Sequence, residues 1–243
     1  MTLPENNSRR GFLQRAGLGL LAAALPAPLA QGQTAPSTAK PAAGLPPGPA
    51  AAAESLRKLQ AGNLRFQKGK LQHPDETLER RRDVAVKQAP FATVLACSDS
   101  RESPELLFDQ GLGDLFVVRT AGHVLDNAVI GTLEFAVAEL HVPLLVVMGH
   151  QRCGAIKATL DAVTTATLAP GQMEALVDAI RPALLLAQGE GDTRFTNVVK
   201  ANVKVTIDRL QNSKLLSEAV AKQQLRIIGA YYQLDTGVAE FFA

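Results

Sequence analysis

Short apolar runs punctuate the chain from Phe91 onward: Phe91-Ala92-Thr93-Val94-Leu95-Ala96, Leu115-Phe116-Val117-Val118, Leu144-Leu145-Val146-Val147-Met148 and Leu225-Arg226-Ile227-Ile228-Gly229-Ala230-Tyr231. Runs of this length, rich in Val, Ile and Leu, suit strands buried on both faces. Helical stretches alternate with them over residues 128–140, 155–163, 173–188, 197–210 and 215–223. Strand and helix in alternation predict an α/β fold, a mostly parallel central sheet flanked by helices. Ahead of the sheet, Leu56, Leu59, Leu64 and Phe66 stand among Arg, Lys and Gln, the pattern of an amphipathic N-terminal helical arm lying against something larger.

The first residues read differently. Ser8-Arg9-Arg10-Gly11-Phe12-Leu13-Gln14 precedes an apolar stretch over 16–30 broken by Pro26 and Pro28. The segment resembles a bacterial twin-arginine export signal, and its apolar part falls short of the roughly twenty residues a membrane-spanning helix needs. Residues 31–53 hold Pro36, Pro41, Pro46, Pro47 and Pro49 among Ala, Gly, Ser and Thr, a composition that keeps a linker extended. The expected organisation is a signal over 1–30, a linker over 31–53 and one domain with its helical arm over 54–243. The expected location is the periplasm, with no membrane contact in the mature form.

Composition narrows the function. With 243 residues, 47% of them hydrophobic, the chain can bury a substantial core. Lys and Arg total 25 against 23 Asp and Glu, and Arg9, Arg10 and Arg15 set against Glu5 account for that excess. A balanced body with no Trp and two Tyr lacks the basic field and stacking aromatics of nucleic-acid binders. Two cysteines allow one disulfide or none, which leaves thiol chemistry and metal ligation open.

Both cysteines fall at predicted strand ends. The first strand runs into Cys97-Ser98-Asp99-Ser100-Arg101, and the third into Gly149-His150-Gln151-Arg152-Cys153-Gly154. In a parallel sheet these ends share one edge, where ligands collect. Cys97, His150 and Cys153 are a plausible zinc set, with a fourth position left for water or for Asp99. A Cys97–Cys153 disulfide, natural in an exported protein, and a purely structural zinc are the competing readings.

The sequence Ala96-Cys97-Ser98-Asp99-Ser100-Arg101 followed by Gly149-His150-Gln151-Arg152-Cys153-Gly154 resembles the β-class carbonic anhydrases. The resemblance extends over residues 54–242 and includes 62–66, 108–114, Val118-Arg119-Thr120-Ala121-Gly122-His123 and Gly229-Ala230-Tyr231-Tyr232. It implies a β-carbonic anhydrase-like fold and one Zn²⁺ per chain on Cys97, His150 and Cys153. The reaction it implies is reversible hydration of CO₂ to bicarbonate by zinc-bound hydroxide. Asp99 and Arg101 are then a catalytic pair governing the fourth site, with Asp99 as ligand in a closed state. Gln88, Phe116, Ala121, Phe135 and Gly154 would line the substrate pocket, Gln88 across a dimer interface, and the chain would form a homodimer or homotetramer. Alternatives on the same scaffold are a hydrolase of CS₂ or COS and a zinc-binding protein without turnover. Val94 and Ala96 replace the Trp and Gly that some relatives use for a second bicarbonate pocket, so the site is expected open, with Asp99 on Arg101. Glu102, beside Arg101, either competes with Asp99 or faces solvent, and solvent is the favoured expectation. His123 sits in a loop after a strand, where an ordinary loop position is weighed against a place in the cleft. His73 and His141 read as surface or loop histidines.

Overall fold

The computed structural model describes residues 47–242. The export signal read over 1–30, and the linker as far as residue 46, lie outside the described residues. Helix α1 (Pro49–Gln67) opens on a proline, tolerated in the first turn because its missing N–H has no intrahelical partner to lose. Its buried positions, Ala51, Ala52, Ser55, Leu59, Gly62 and Asn63, recur every three or four residues. The helix therefore begins ahead of Glu54, because the first turns bury alanines, which leave little mark on an apolar pattern. Asn63 ties α1 to the body, donating to Leu107 O at 3.2 Å and Gly237 O at 2.9 Å and accepting from Ala239 N at 2.9 Å. After α1 comes the short α2 (Leu78–Val84), capped by Thr77, whose side chain accepts from Arg80 N.

The sheet has the order β2-β1-β3-β4-β5. Strands β1 (Ala92–Cys97), β2 (Leu115–Thr120), β3 (Leu144–His150) and β4 (Arg226–Tyr232) are parallel, and β5 (Ala239–Phe242) runs antiparallel to β4. Helices α3 (Pro104–Leu107), α4 (Asn127–Ala138), α5 (Gly154–Thr165), α6 (Met173–Leu186), α7 (Gly191–Gln211) and α8 (Lys214–Ala221) complete the described residues. Alternate side chains of the inner strands enter opposite layers. Val94, Ala96, Val146 and Met148 pack with Leu59 and Phe108, whereas Leu95, Leu145 and Val147 pack with Leu133, Val203, Leu210 and Leu216.

Strands β1 and β3 are buried throughout, as expected. Strand β2 is not: Leu115, Phe116, Val117 and Val118 are half-exposed, because the strand forms the sheet's edge and has a neighbour on one side only. No helix among the described residues is long and apolar enough to cross a membrane.

The topology places the functional edge. From β1 the chain moves outward to β2, then crosses to β3 on the opposite side of β1. Connections that leave two adjacent parallel strands in opposite directions open a crevice at their carboxyl ends. Cys97 is the last residue of β1 and His150 the last of β3.

Candidate functional site

In that crevice the structure brings together Cys97, His150 and Cys153, the last as the residue that starts α5. All three are buried, and one ligand atom from each lies within 4.8 Å of the others. The two sulfurs are 3.9 Å apart and unbonded, against about 2.05 Å for a disulfide. The ring of His150 is oriented by its Nδ1, which donates to Gln151 O at 2.9 Å. This leaves Nε2 facing the sulfurs' side, fully buried and without a hydrogen-bond partner. A buried, unsatisfied imidazole nitrogen beside two thiols is costly unless something electrophilic sits between them, and a divalent cation fits both the orphaned atom and the donor chemistry.

The electrostatics agree. The two sulfurs act on each other: a hydrogen bond from Cys153 holds the Cys97 thiol well below its ordinary range, and the thiolate facing it, with burial, pushes Cys153 up. Burial pushes His150 down, but the Cys97 thiolate, Glu102 and Asp99 outweigh it and raise the imidazole above its ordinary value. Surroundings that hold a proton on this ring also attract a metal cation.

Asp99 and Arg101 meet at the mouth. Arg101 Nε donates to Asp99 Oδ1 at 2.9 Å and Nη2 to Oδ2 at 2.7 Å, while the Arg101 N–H reaches Oδ1 at 3.0 Å. Those bonds hold the Asp99 carboxyl well below the usual carboxylate range. Asp99 Oδ2 lies 3.8 Å from His150 Nε2, so the carboxylate stands over the unpartnered imidazole nitrogen while staying paired with Arg101.

Glu102 departs from expectation. It is 0% exposed, and it neither faces solvent nor competes for Arg101. A tight turn, with Glu102 N donating to Asp99 O at 3.0 Å, folds it back beneath Cys97. There Oε2 accepts from Cys97 N at 3.1 Å, and Oε1 has no hydrogen-bond partner. Burial raises its carboxyl to about 8. His123 is also buried, its ring held by Asn202 at 3.0 Å and pushed down to about 4 by burial, so it is a neutral interior group and not a solvent-facing relay. His73 and His141 are exposed, as read from the sequence.

The expected substrate-pocket residues are spread more widely. Phe116 and Phe135 face each other with ring centres 6.4 Å apart, and Phe135 is 47% exposed. Ala121 follows β2, Gly154 opens α5 at the surface, and Gln88 lies exposed in the segment before β1. Two surface cavities, of about 270 and 500 Å³, take in none of these residues.

Two residues were given no role from the sequence. Arg119 Nε donates to Cys97 O at 2.8 Å and Nη2 to Asp99 O at 2.6 Å, bracing the loop that carries both groups. Asn202 is buried in α7 among Val198, Val199 and Val203. A polar side chain inside an apolar stripe is the signal that would have flagged it.

A family model described as carbonic anhydrase matches residues 92–239. The chain is 44% identical over 184 residues to carbonic anhydrase 2 of Mycobacterium tuberculosis, covering 75% of this chain and 89% of that protein. It is 43% identical over 185 residues to a carbonic anhydrase of Mycolicibacterium smegmatis, covering 76% and 90%. A tetrameric β-carbonic anhydrase of the filamentous ascomycete Sordaria macrospora superposes with a TM-score of 0.61 at 23% identity, covering 79% of this chain and 95% of that one.

Proposed function

The chain belongs to the β-class carbonic anhydrases, and we propose that its reaction, the reversible hydration of CO₂ to bicarbonate and a proton, depends on one zinc ion held by Cys97, His150 and Cys153. The observation that carries the zinc assignment is the orphaned His150 Nε2 beside two unbonded sulfurs. Zinc held there supplies the Lewis acidity that brings the ionisation of water toward neutral pH.

The chain's own groups do the rest. Two sulfurs and a neutral imidazole give the cation a charge-balanced seat, and the Gln151 carbonyl fixes which imidazole nitrogen is offered. Arg101 keeps Asp99 ionised and turned, so that the carboxylate accepts a hydrogen bond from the attacking water and aligns its lone pair on CO₂. Should that ion pair open, Asp99 is near enough to His150 Nε2 to turn inward and close the fourth position. The released proton leaves by the exposed mouth, where Arg101 is half-exposed. Hydrolysis of CS₂ or COS on the same scaffold is not favoured, because the matching family model and the relatives at 43–44% identity are carbonic anhydrases.

The half-exposed β2 edge, where the exposed Phe135 packs on the half-buried Phe116, supports assembly of at least a homodimer, in which Gln88 of a second copy would help close the substrate pocket. Tetrameric relatives of the same fold are in keeping with this. Residues 1–30 support export to the periplasm by the twin-arginine route. That route carries folded proteins, so the metal would be loaded before transport.

Stopped-flow CO₂ hydration, with and without a strong zinc chelator, tests the central reading: activity abolished by the chelator and restored by zinc is the expected result, and activity indifferent to it overturns the metal assignment. Changing Arg9 and Arg10 to Lys should leave active enzyme in the cytoplasm; normal periplasmic activity in that variant overturns the export reading.

A further inference from the structure

The sulfur of Cys97 has a hydrogen-bond donor of its own. Gly122 N–H points at Cys97 Sγ with N···S 3.2 Å. The donor belongs to a strained turn: Gly122 has φ +62° and the next residue, His123, φ +48°. Left-handed backbone at a histidine persists only where its surroundings over-determine it. Here the walls are close. A Cβ at Gly122 would lie 2.9 Å from Ile180 Cδ1 in α6 and 3.0 Å from Ala155 Cβ in α5, and one at Gly149 would meet Val199 and Val203 of α7 at 2.7 and 3.0 Å.

Only one polar side chain is bonded to both residues of this turn in the described structure. Asn202 Nδ2 donates to Gly122 O at 3.0 Å and contacts His123 Nε2 at 3.0 Å. Because the carbonyl of Gly122 can only accept, the amide's NH₂ faces the turn, and His123 Nε2 must accept the second hydrogen. Asn202 thus fixes both the turn's backbone and the tautomer of its histidine, and it is 2% exposed. Glycine at 149, next to His150, lets α7 come close enough for the contact.

We infer that Asn202 is a positioning residue for the metal centre: by clamping Gly122 and His123 it keeps the Gly122 N–H on Cys97 Sγ and so limits the charge this thiolate gives the metal. A hydrogen bond to a ligand sulfur withdraws electron density, which leaves the ion a stronger Lewis acid. The inference rests on the zinc reading above.

The test compares wild type with Asn202→Leu, which removes both donors, and Asn202→Asp, which keeps the size and offers one donor at most. Each is read for metal content, for the activity–pH curve and, after cobalt(II) replaces zinc, for the energy of the thiolate-to-cobalt charge-transfer band. The expected result is full metal content, a band moved to lower energy, and a pH midpoint raised by about half a unit, which lowers activity below the midpoint about threefold. Asn202→Asp should show a smaller shift in the same direction and serves if the leucine variant does not fold. Metal-replete variants with the wild-type band and midpoint, whatever their stability, overturn the inference and leave the zinc reading standing. Wild-type protein that takes up neither zinc nor cobalt in stoichiometric amount overturns the zinc reading, and this inference with it.

Discussion

Asp99 and Arg101, two residues apart in one loop, lock together through both carboxylate oxygens, at 2.9 and 2.7 Å. The fork of a guanidinium matches the two oxygens, and the ammonium of lysine, a point charge, does not. Arg101→Lys should therefore keep the charge and lose the orientation. The expected loss in kcat/KM for CO₂ hydration is about 10- to 100-fold, with metal content unchanged. Wild-type activity in that variant would show that Asp99 needs no clamp.

The metal assignment makes its own prediction. Cys97→Ser, His150→Ala and Cys153→Ser each remove one of three donors, and a site of two is too weak to compete for zinc. Metal analysis should find about one zinc per chain in the wild type and close to none in each variant. A full complement in Cys153→Ser would show that the sulfurs, 3.9 Å apart, are not both donors.

How much of this was legible beforehand differs residue by residue. Cys97 and His150 could be placed together because each ends an apolar run, and parallel strands deliver their ends to one edge. The short antiparallel β5 could not be found from its four residues, Ala239–Phe242, whose pairing with β4 depends on the turn at Gly237. The burial of Glu102 leaves no mark in the sequence for a related reason. Its side chain is charged and follows an exposed arginine, and only the path of the Asp99–Glu102 turn carries it under Cys97. Asn202 acts on residues about eighty positions away, a pairing that periodicity along one helix does not reveal.

The contact between α1 and the body is close enough to be tested with one methyl group. A Cβ at Gly62 would stand 1.6 Å from Phe108 O, a backbone atom that cannot rotate aside. Gly62→Ala should push α1 off the loop after α3 and loosen the Asn63 bonds to Leu107 and Gly237. The expected cost is about 3 kcal/mol, read as a lowered thermal midpoint. An unchanged midpoint would mean that α1 contributes little to the fold.

Acid stability turns on a second ion pair, the partly exposed Arg65 with the buried Asp109, outside the cluster of Cys97, His150 and Cys153. Asp109 is almost fully buried, and its carboxylate accepts from Arg65 Nε and from the backbone N–H groups of Gln72 and His73 at 3.0 Å. Burial alone would raise its proton affinity, but these donors outweigh burial and leave the carboxyl below its ordinary 3.8. The folded chain therefore holds this proton less tightly than the unfolded chain does. Its stabilisation is full above the ordinary value and fades as the pH drops through the lower, native one. Asp109→Asn removes the charge at every pH but keeps one acceptor oxygen for the two N–H groups, so it should cost about 2 kcal/mol at pH 7 through the lost ion pair with Arg65 and the weaker acceptor. At acid pH, where the wild type has itself lost the charge, the gap between the two should narrow. Urea unfolding at neutral and at strongly acid pH measures both differences, and a gap that stays constant would show that Asp109 is not the group through which acid weakens this fold.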